Sequence, residues 1–300
     1  MKILRLQILR NAAYLLLVAT VIVLVVIWWP VLAKIWREQA LTFLGAVVVM
    51  VCGTLVQARN FLVFLDTKHS VRLWRFAQIW ALSALANYLA PLQPGIAVRV
   101  AWLSRRGVSV PAGLLATWRQ LVASVWISLV GLAVGLLMTG DHRGRWPALA
   151  LGVVWIGTFA VRKLWLRRLC RLQRPAWLAR QKGLLHRAAS GIESRGLAGV
   201  VLQYVHGTLV LYWVYSRFGA SIGVGQALIL ACLVYISSMV AVLPGNFGVM
   251  EAIYMLGGHG FGLSVTQLAA LALLLRVSSI ISSALLALSG VGVPSKLRAG

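Results

Sequence analysis

Long apolar stretches separated by short polar segments follow one another along the whole chain. A helix of about 20 apolar residues is long enough to cross the hydrocarbon core of a bilayer. The pattern predicts spans at residues 12–29, 40–58, 113–138, 146–161, 197–218, 222–243 and 265–290, with a short outer loop at residues 34–38. We therefore expect an all-α, polytopic transmembrane helical bundle of seven to eight spans, with residues 1–300 forming a single integral membrane domain.

The apolar stretch at residues 76–92 departs from this pattern, because prolines and a glycine interrupt it and three arginines follow it. A simple span would place these arginines outside, against the bias of basic residues toward the cytoplasm. A re-entrant hairpin over residues 76–103 returns them inside. Since a broken helix is tolerated at membrane depth only where protein or a polar cavity covers it, the hairpin also predicts a site. The Gly-rich segment 244–264 is a candidate second hairpin, on which the side of the C-terminus depends.

Composition supports a chain immersed in lipid. Hydrophobic residues make up 61% of the 300 residues and charged residues only 11%, whereas a soluble domain has about 25% charged residues. The formal net charge is nevertheless +24. Positive-inside bias explains such an excess, and attraction to anionic lipid head groups is a second, compatible explanation. Nucleic-acid binding is not expected, because no soluble domain presents the charge.

The one long polar segment, residues 162–196, holds ten Lys or Arg and one acid. It is expected to be cytoplasmic, as is the basic N-terminus. Trp165, Leu169 and Leu172 recur at i, i+4 and i+7, which predicts an amphipathic helix lying among the lipid head groups. A plain basic connector is the alternative. The partners expected from these charges are anionic membrane lipids.

Two regions of the chain resemble each other. One runs N-Y-L-A-P-L-Q-P-G-I-A-V-R and leads through R-R-G-V-S to a helix bearing Arg119. The other runs A-V-L-P-G-N-F-G-V-M-E and leads through H-G-F-G-L-S to a helix bearing Arg276. Duplicated halves with broken helices in corresponding positions indicate a transport site, so we predict an internal pseudo-repeat.

Arg119 and Arg276 lie inside apolar spans, where a charge costs at least ~2.5 kcal/mol by insertion scales. Such residues need a partner or a function. Glu251 is the acid nearest to a span in the C-terminal half and is the expected partner of Arg276. A structural ion pair and a role at a substrate head group both remain open. His206 lies mid-span, where it is either a hydrogen-bonded packing residue or a proton carrier.

Catalytic chemistry has little support. The five acidic residues are dispersed, so no carboxylate pair is available for metal or glycosyl chemistry. No P-loop, nucleophile elbow or zinc-protease motif is present. The three cysteines are scattered and are expected to be small packing residues. We therefore expect no enzymatic activity, no metal and no cofactor.

The two Pro-Gly segments resemble the transmembrane flippase region of the lysylphosphatidylglycerol synthase family. The matching residues are Asn87, Pro91, Pro94, Gly95, Arg99, Arg119, Leu243, Pro244, Gly248, Glu251 and Arg276. The chain departs from the family pattern at Ile96 and Trp118, where the family has Glu. The resemblance implies a stand-alone, flippase-like protein of the bacterial inner membrane. We expect no attached synthase domain, so the resemblance does not imply lysyl transfer.

The function predicted is translocation or binding of an anionic or amphiphilic lipid, either a phospholipid or a lipid-linked precursor. A membrane-embedded transferase acting on a lipid-linked sugar, and a scaffold that recruits cytoplasmic partners through residues 162–196, are the alternatives. Oligomeric state is left open. The predicted head-group site comprises Asn87, Pro94, Gly95, Arg99, Arg119, Pro244, Gly248, Glu251 and Arg276.

Overall fold

A computed structural model describes residues 2–65, 71–89, 93–140, 146–154, 157, 194–239, 244–246 and 248–289. Within these ranges the regular structure is helical. The helices are α1 (Lys2–Leu65), α2 (Leu73–Leu89), α3 (Pro94–Ser104), α4 (Val110–Met138), α5 (Ser194–Arg217), α6 (Val224–Met239), α7 (Val249–His259) and α8 (Val265–Leu288), with a 3₁₀ turn at Pro244–Asn246. Residues 146–154 are also helical.

Four segments in the described part of the chain are long and apolar enough to cross a membrane: Arg37–Leu65, Val110–Met138, Arg195–Arg217 and Val265–Leu288. Large apolar side chains on their outer faces, such as Leu114, Leu209 and Leu285, are exposed. Such a surface suits lipid, because the bilayer interior is as apolar as the side chains. The predicted helical membrane bundle is therefore confirmed.

The first two predicted spans are not separated by a loop. The helix α1 continues through residues 34–38 and is kinked at Gln39, whose backbone is non-helical (φ −126°, ψ 23°). Residues 31–38 contain neither glycine nor proline and include Leu, Ala, Lys, Arg and Glu, all good helix formers. A kink at one residue thus replaces the expected outer loop.

The predicted re-entrant hairpin is formed by α2 and α3, which run antiparallel. The rings of Phe76 and Trp102 lie 6.0 Å apart at one end, and the Gly95 N–H donates to Asn87 Oδ1 at 2.8 Å at the other. Helices of 17 and 11 residues span only about 26 and 16 Å. The chain therefore turns back inside the bundle, and Arg105 lies at the end where α2 begins.

A second hairpin is formed by α6 and α7, with 16 and 11 residues. Asn246 Nδ2 donates to Ser237 Oγ at 3.0 Å near its tip. Both hairpins are followed by a turn with a positive-φ glycine, Gly107 (φ 82°) or Gly262 (φ 81°), and then by a long helix. The order of helix, break, short helix, turn and long helix thus occurs twice, which supports the predicted pseudo-repeat.

The two repeats run in opposite directions. The helices α1 and α5 are antiparallel, because Asn60 Nδ2 donates to the Gly199 carbonyl while Gln39 Nε2 donates to the Arg217 carbonyl. Each long helix packs against the hairpin of the other repeat, α4 against α6 and α8 against α2. Helices α1–α4 and α5–α8 therefore form inverted repeats, an arrangement common in membrane transporters.

The end of the bundle where α1 ends and α2 begins, here called the basic end, gathers the arginines of several connections. Among described residues it carries Arg59, Arg72, Arg105, Arg106 and Arg195. The last helix also returns there, because Gln78 Nε2 donates to Ser289 Oγ at 3.2 Å. The predicted amphipathic helix within residues 162–196, as well as Pro91 and Leu243, lies outside the described residues.

Candidate functional site

A cavity of about 380 Å³ lies at the centre of the bundle, where the two hairpin tips approach each other. Volumes of this order hold small-molecule ligands in proteins. Two arginines, Arg99 and Arg276, line it, whereas no acidic side chain does so among the described residues. The remaining polar lining consists of Thr54, Gln57, Ser83, Asn87, Tyr88, Gln93, Thr117, Gln120, Ser124, His206, Tyr235, Ser238, Asn246, Tyr254, Ser279, Ser282 and Ser283.

The tips of the two hairpins are joined directly. Gln93, in the left-handed backbone conformation (φ 54°), donates from Nε2 to the Ser238 carbonyl at 2.8 Å. This bond satisfies a carbonyl that the end of α6 leaves without a helical partner. Gly245 (φ 57°) lies against the Tyr88 ring, and a Cβ atom there would be 2.8 Å from Tyr88 Cε1. The tip of each hairpin is therefore in direct contact with residues of the other repeat.

The first tip is held by Asn87 and Gly95. The Asn87 side chain accepts the Gly95 N–H, one of the donors that the start of α3 leaves unpaired. Gly95 also packs so closely on the Ser83 carbonyl that no Cβ atom fits. Pro94 occupies the first residue of α3, where its missing N–H costs nothing. These residues shape the cavity wall and support Arg99 one turn later.

Arg99 stacks on aromatic rings inside the cavity. Its Cζ lies 4.0 Å from the ring centre of Trp80 and 5.6 Å from that of Phe61. The Trp80 ring is itself fixed by a 3.2 Å hydrogen bond from Nε1 to Gln57 Oε1. The buried Arg99 Nε has no hydrogen-bond partner in the described part of the protein, and no described carboxylate forms an ion pair with Arg99. Its positive charge is therefore available to an anion.

Arg276 has a different environment. Its Nε and Nη2 lie 2.7 and 2.5 Å from Glu251 Oε1, and its Nη1 donates to the Gly245 carbonyl at 2.7 Å. The other Glu251 oxygen accepts the Gly248 N–H at 2.8 Å and so caps the start of α7. The predicted Glu251–Arg276 pair is thus present. It ties α8 to the second tip and compensates the Arg276 charge.

The remaining predicted residues fall into two groups. Pro244 begins the 3₁₀ turn of the second tip, and Gly248 (φ 83°) precedes α7. Arg119 is buried but does not line the cavity; its Nη1 donates to the Phe64 carbonyl at 3.4 Å near the basic end. The structure therefore brings Asn87, Arg99 and Arg276 to one cavity and sets Arg119 apart from them.

Three features of the site escape sequence reasoning: the aromatic support of Arg99 by Trp80, the fixing of Trp80 by Gln57, and the bond from Gln93 to the second tip. Each joins residues on different helices, so no local spacing indicates it. The sequence offered one signal for them: Arg99 follows a broken helix, and Trp80 lies inside an apolar stretch.

His206 also lines the cavity. Its Nε2 lies 3.0 Å from the Val49 carbonyl, which agrees with a hydrogen-bonded packing role.

Residues 96 and 118, at which the family pattern has Glu and this chain does not, have different environments. Ile96 lines the cavity one turn before Arg99, whereas Trp118 lies on the outer face of α4 with 58% of its surface exposed. Only the first replacement alters the charge of the cavity. With Ile at residue 96, Arg99 has no acidic neighbour on α3 and no ion-pair partner among the described residues.

Comparison with curated proteins finds no match to the chain. Comparison with protein families matches residues 16–287 to the lysylphosphatidylglycerol synthase TM region. The match covers both hairpins and all residues that line the cavity, and of the two repeats it leaves out only the part of α1 before residue 16 and the last residue of α8. The chain therefore belongs to the lysylphosphatidylglycerol synthase TM region family and is a membrane protein related to lipid handling.

Proposed function

We propose that this protein is a flippase-like translocator that binds the anionic head group of an amphiphilic lipid in its central cavity. The observation that carries the proposal is the charge of Arg99, with which no carboxylate in the described part of the chain forms an ion pair. A guanidinium held inside an apolar bundle is costly unless it is paired. A lipid phosphate would supply the missing partner and would form charge-assisted hydrogen bonds with it.

The polar character of the cavity supports the same function. A head group must cross an apolar barrier about 30 Å thick, and the hydroxyl and amide side chains of the lining offer hydrogen bonds in place of water. The apolar outer faces of the helices suit acyl chains, which remain in the bilayer. Head group and tail would thus each meet a matching environment during transfer.

The inverted repeats suggest how the cavity would open to each side in turn. The two hairpins enter from opposite ends and meet through the bond between Gln93 and Ser238. In inverted-repeat transporters, one repeat rocks against the other around a central site. Here, separation of the tips would open a path past Arg99 from one end while the other end stays closed.

The proposal includes an orientation. The basic end would face the cytoplasm of a bacterial cell, because loops rich in Lys and Arg remain on that side. Its exposed arginines Arg72, Arg105 and Arg106 would attract anionic lipids toward the cavity entrance. Catalysis has no part in this proposal, and moving a lipid between leaflets needs no bond to be made or broken.

Transport in proteoliposomes tests the proposal. Purified protein is reconstituted into liposomes with lipids that carry a fluorophore on one acyl chain. The fraction of labelled lipid that an external quencher reaches is followed over time. We expect Arg99→Gln to slow transfer of anionic lipids by at least about tenfold, since a lost charge-assisted contact is worth roughly 1.5–3 kcal/mol.

Arg106 provides the matched control. Its Cζ lies 4.2 Å from the ring centre of Trp102, so it is also stacked on a tryptophan, but it is exposed at the basic end and does not line the cavity. Arg106→Gln is expected to keep most of the wild-type rate. Equal rates in wild-type and Arg99→Gln proteoliposomes, or rates no higher than in protein-free liposomes, would overturn the proposal.

A further inference from the structure

The side chains of the cavity indicate which head groups it accepts. We infer that it selects a phosphodiester ending in neutral hydroxyls, of the glycerol, inositol or sugar type, over one ending in an ammonium group, and that Ile96 is the position that sets this preference. The inference rests on the proposed function, because it concerns the same cavity, and it adds the chemical class of the ligand.

The charge of the cavity lining disfavours a cationic head group. Arg99 and Arg276 both face the cavity, whereas Glu251, the partner of Arg276, does not line it. The Glu251 oxygens already accept from Arg276 and from the Gly248 N–H. An ammonium group entering beside the phosphate would therefore find no described carboxylate facing it and would be repelled by a guanidinium. Repulsion between a charged group of the ligand and a like charge in the site is a strong source of specificity.

The aromatic side chains of the lining also disfavour a cationic head group. Ammonium groups without a carboxylate are bound in proteins by stacking on aromatic faces. The Trp80 face is already covered by Arg99, with the Arg99 Cζ 4.0 Å from the ring centre. The Tyr88 ring already has Arg276 at 5.5 Å. The two arginines therefore occupy the Trp80 and Tyr88 rings, so these two rings are not open to a cationic head group.

The neutral hydrogen-bonding groups of the lining favour a head group that carries hydroxyls. Thr54, Ser83, Ser124, Ser279 and Ser283 supply hydroxyls, and Gln57 and Asn87 supply amides, all facing one cavity. Thr54 and Ser83 donate to carbonyls of their own helix and keep lone pairs that can accept. Asn87 and Gln57 accept through their side-chain oxygens and keep N–H groups that can donate. The lining can therefore both accept from and donate to the hydroxyls of a polyol or sugar. A site built to bond hydroxyl groups discriminates against ligands that lack them, since its own groups are then left unpaired.

Ile96 is the position at which this preference can be changed. It lies on α3 three residues before Arg99, and its side chain lines the same cavity. Side chains three residues apart are neighbours on a helix surface. A carboxylate at residue 96 would reach the Arg99 guanidinium, compensate its charge and offer a partner to an ammonium group. The apolar Ile96 side chain keeps Arg99 available to the lipid phosphate.

Lipid binding to the full-length protein in detergent tests the inference. Native mass spectrometry measures separate dissociation constants for phosphatidylglycerol, phosphatidylinositol and phosphatidylethanolamine with identical acyl chains. We expect both hydroxyl-ended lipids to bind at least about tenfold more tightly than the ethanolamine lipid. Ile96→Glu is expected to weaken their binding about tenfold and to reduce the preference to within about threefold.

Two further variants separate charge from other effects. Ile96→Gln adds polarity without charge and is expected to shift the affinities together, leaving their ratio unchanged. Arg99→Gln is expected to remove the preference, which distinguishes the cavity from arginines at the bundle surface. Equal affinities for the three lipids in the wild type would overturn the inference, as would a preference that survives Arg99→Gln.

Failure of this inference and failure of the proposed function give different results. Proteoliposomes that move glycerol and ethanolamine lipids at equal rates, with equal affinities, would refute the selectivity while leaving translocation intact. Selective binding that depends on Arg99, without transfer of any of the three lipids, would refute translocation while supporting the selectivity.

Discussion

Arg99 and Arg276 line the same cavity, but their charges are balanced in different ways. Arg276 is 8% exposed and pairs with Glu251, so it connects α8 to the second hairpin. Arg99 rests on Trp80 and Phe61, whose rings attract a cation weakly without neutralising it. At this scale the residues divide into an ion pair that joins two elements and an arginine that, in the proposed function, binds the ligand. The two roles predict different outcomes for substitution.

Glu251→Gln tests the structural pair. The substitution keeps the size of the side chain but leaves the buried Arg276 guanidinium without its counter-charge, so we expect the free energy of unfolding to fall by about 1–3 kcal/mol. Thermal unfolding of the purified protein, followed by tryptophan fluorescence, measures the change. Glu38→Gln is the control, because Glu38 is exposed. An unchanged unfolding temperature for Glu251→Gln would contradict the structural role.

Gly95→Ala tests the close approach at the first tip. A methyl group there would collide with the Ser83 carbonyl and lie 2.7 Å from Asn87 Oδ1, so the hairpin cannot keep its geometry. We expect a loss of stability of about 1–3 kcal/mol, typical of overpacking. Gly260→Ala is the matched control, because no atom lies within 4 Å of a Cβ there and φ is −76°. Similar unfolding temperatures for the two variants would argue against the close approach.

At the scale of elements, the two hairpins form one unit at the centre of the bundle. Each has a helix of 16 or 17 residues, a break and a helix of 11 residues. The breaks place backbone groups and polar side chains at membrane depth, where protein covers them. The bond from Gln93 to the Ser238 carbonyl closes the contact between the tips. Movement of the hairpins relative to each other is thus the transition that transport would require.

Cross-linking the tips tests this transition. In a protein with Cys52, Cys170 and Cys232 replaced, Gln93→Cys and Ser238→Cys place two thiols at the contact between the hairpins. We expect a disulfide between them to lower the rate of lipid transfer at least about tenfold, because locked tips cannot separate. Reduction of the same sample should restore the rate and serves as the control. Undiminished transfer in fully cross-linked protein would show that the tips need not part.

At the scale of the whole molecule, the inverted repeats determine which connections share an end. The turn after α3 returns to the end where α2 begins, whereas the turn after α7 lies at the other end, where the Ser221 N–H donates to the Phe261 carbonyl. The arginine-rich connections therefore gather at the basic end. A chain of simple spans in place of hairpins would distribute them over both ends.

Labelling from one side of the membrane tests this topology. Single cysteines are introduced as Arg72→Cys, Arg106→Cys and Gly260→Cys into the same cysteine-free protein. We expect an impermeant thiol reagent added to intact bacterial cells to label the third position and not the first two. Inside-out vesicles should give the reverse pattern, which controls for reactivity. Labelling of residues 72 and 106 from opposite sides would contradict the first hairpin.

Much of this architecture could be predicted from the sequence, because lipid imposes strong local constraints. The Pro-Gly break and the arginines after it predicted the first hairpin, and the cost of a lone buried charge predicted the Glu251–Arg276 pair. The continuity of α1 could not be predicted, since helix formers between two apolar stretches suit either a loop or a kinked helix. The inverted orientation of the repeats and the stacking of Arg99 on Trp80 depend on packing between distant helices, which local patterns do not contain.

The measurement that tests the central claim most directly is a structure with lipid bound. The protein would be placed in nanodiscs containing phosphatidylglycerol, with a rigid antibody fragment added for size, and imaged by cryo-electron microscopy. The account predicts phosphate density within hydrogen-bonding distance of the Arg99 guanidinium, inside the cavity, and its loss in Arg99→Gln. Lipid found only around the outer helices, with the same density in both proteins, would contradict the claim that the cavity binds the head group.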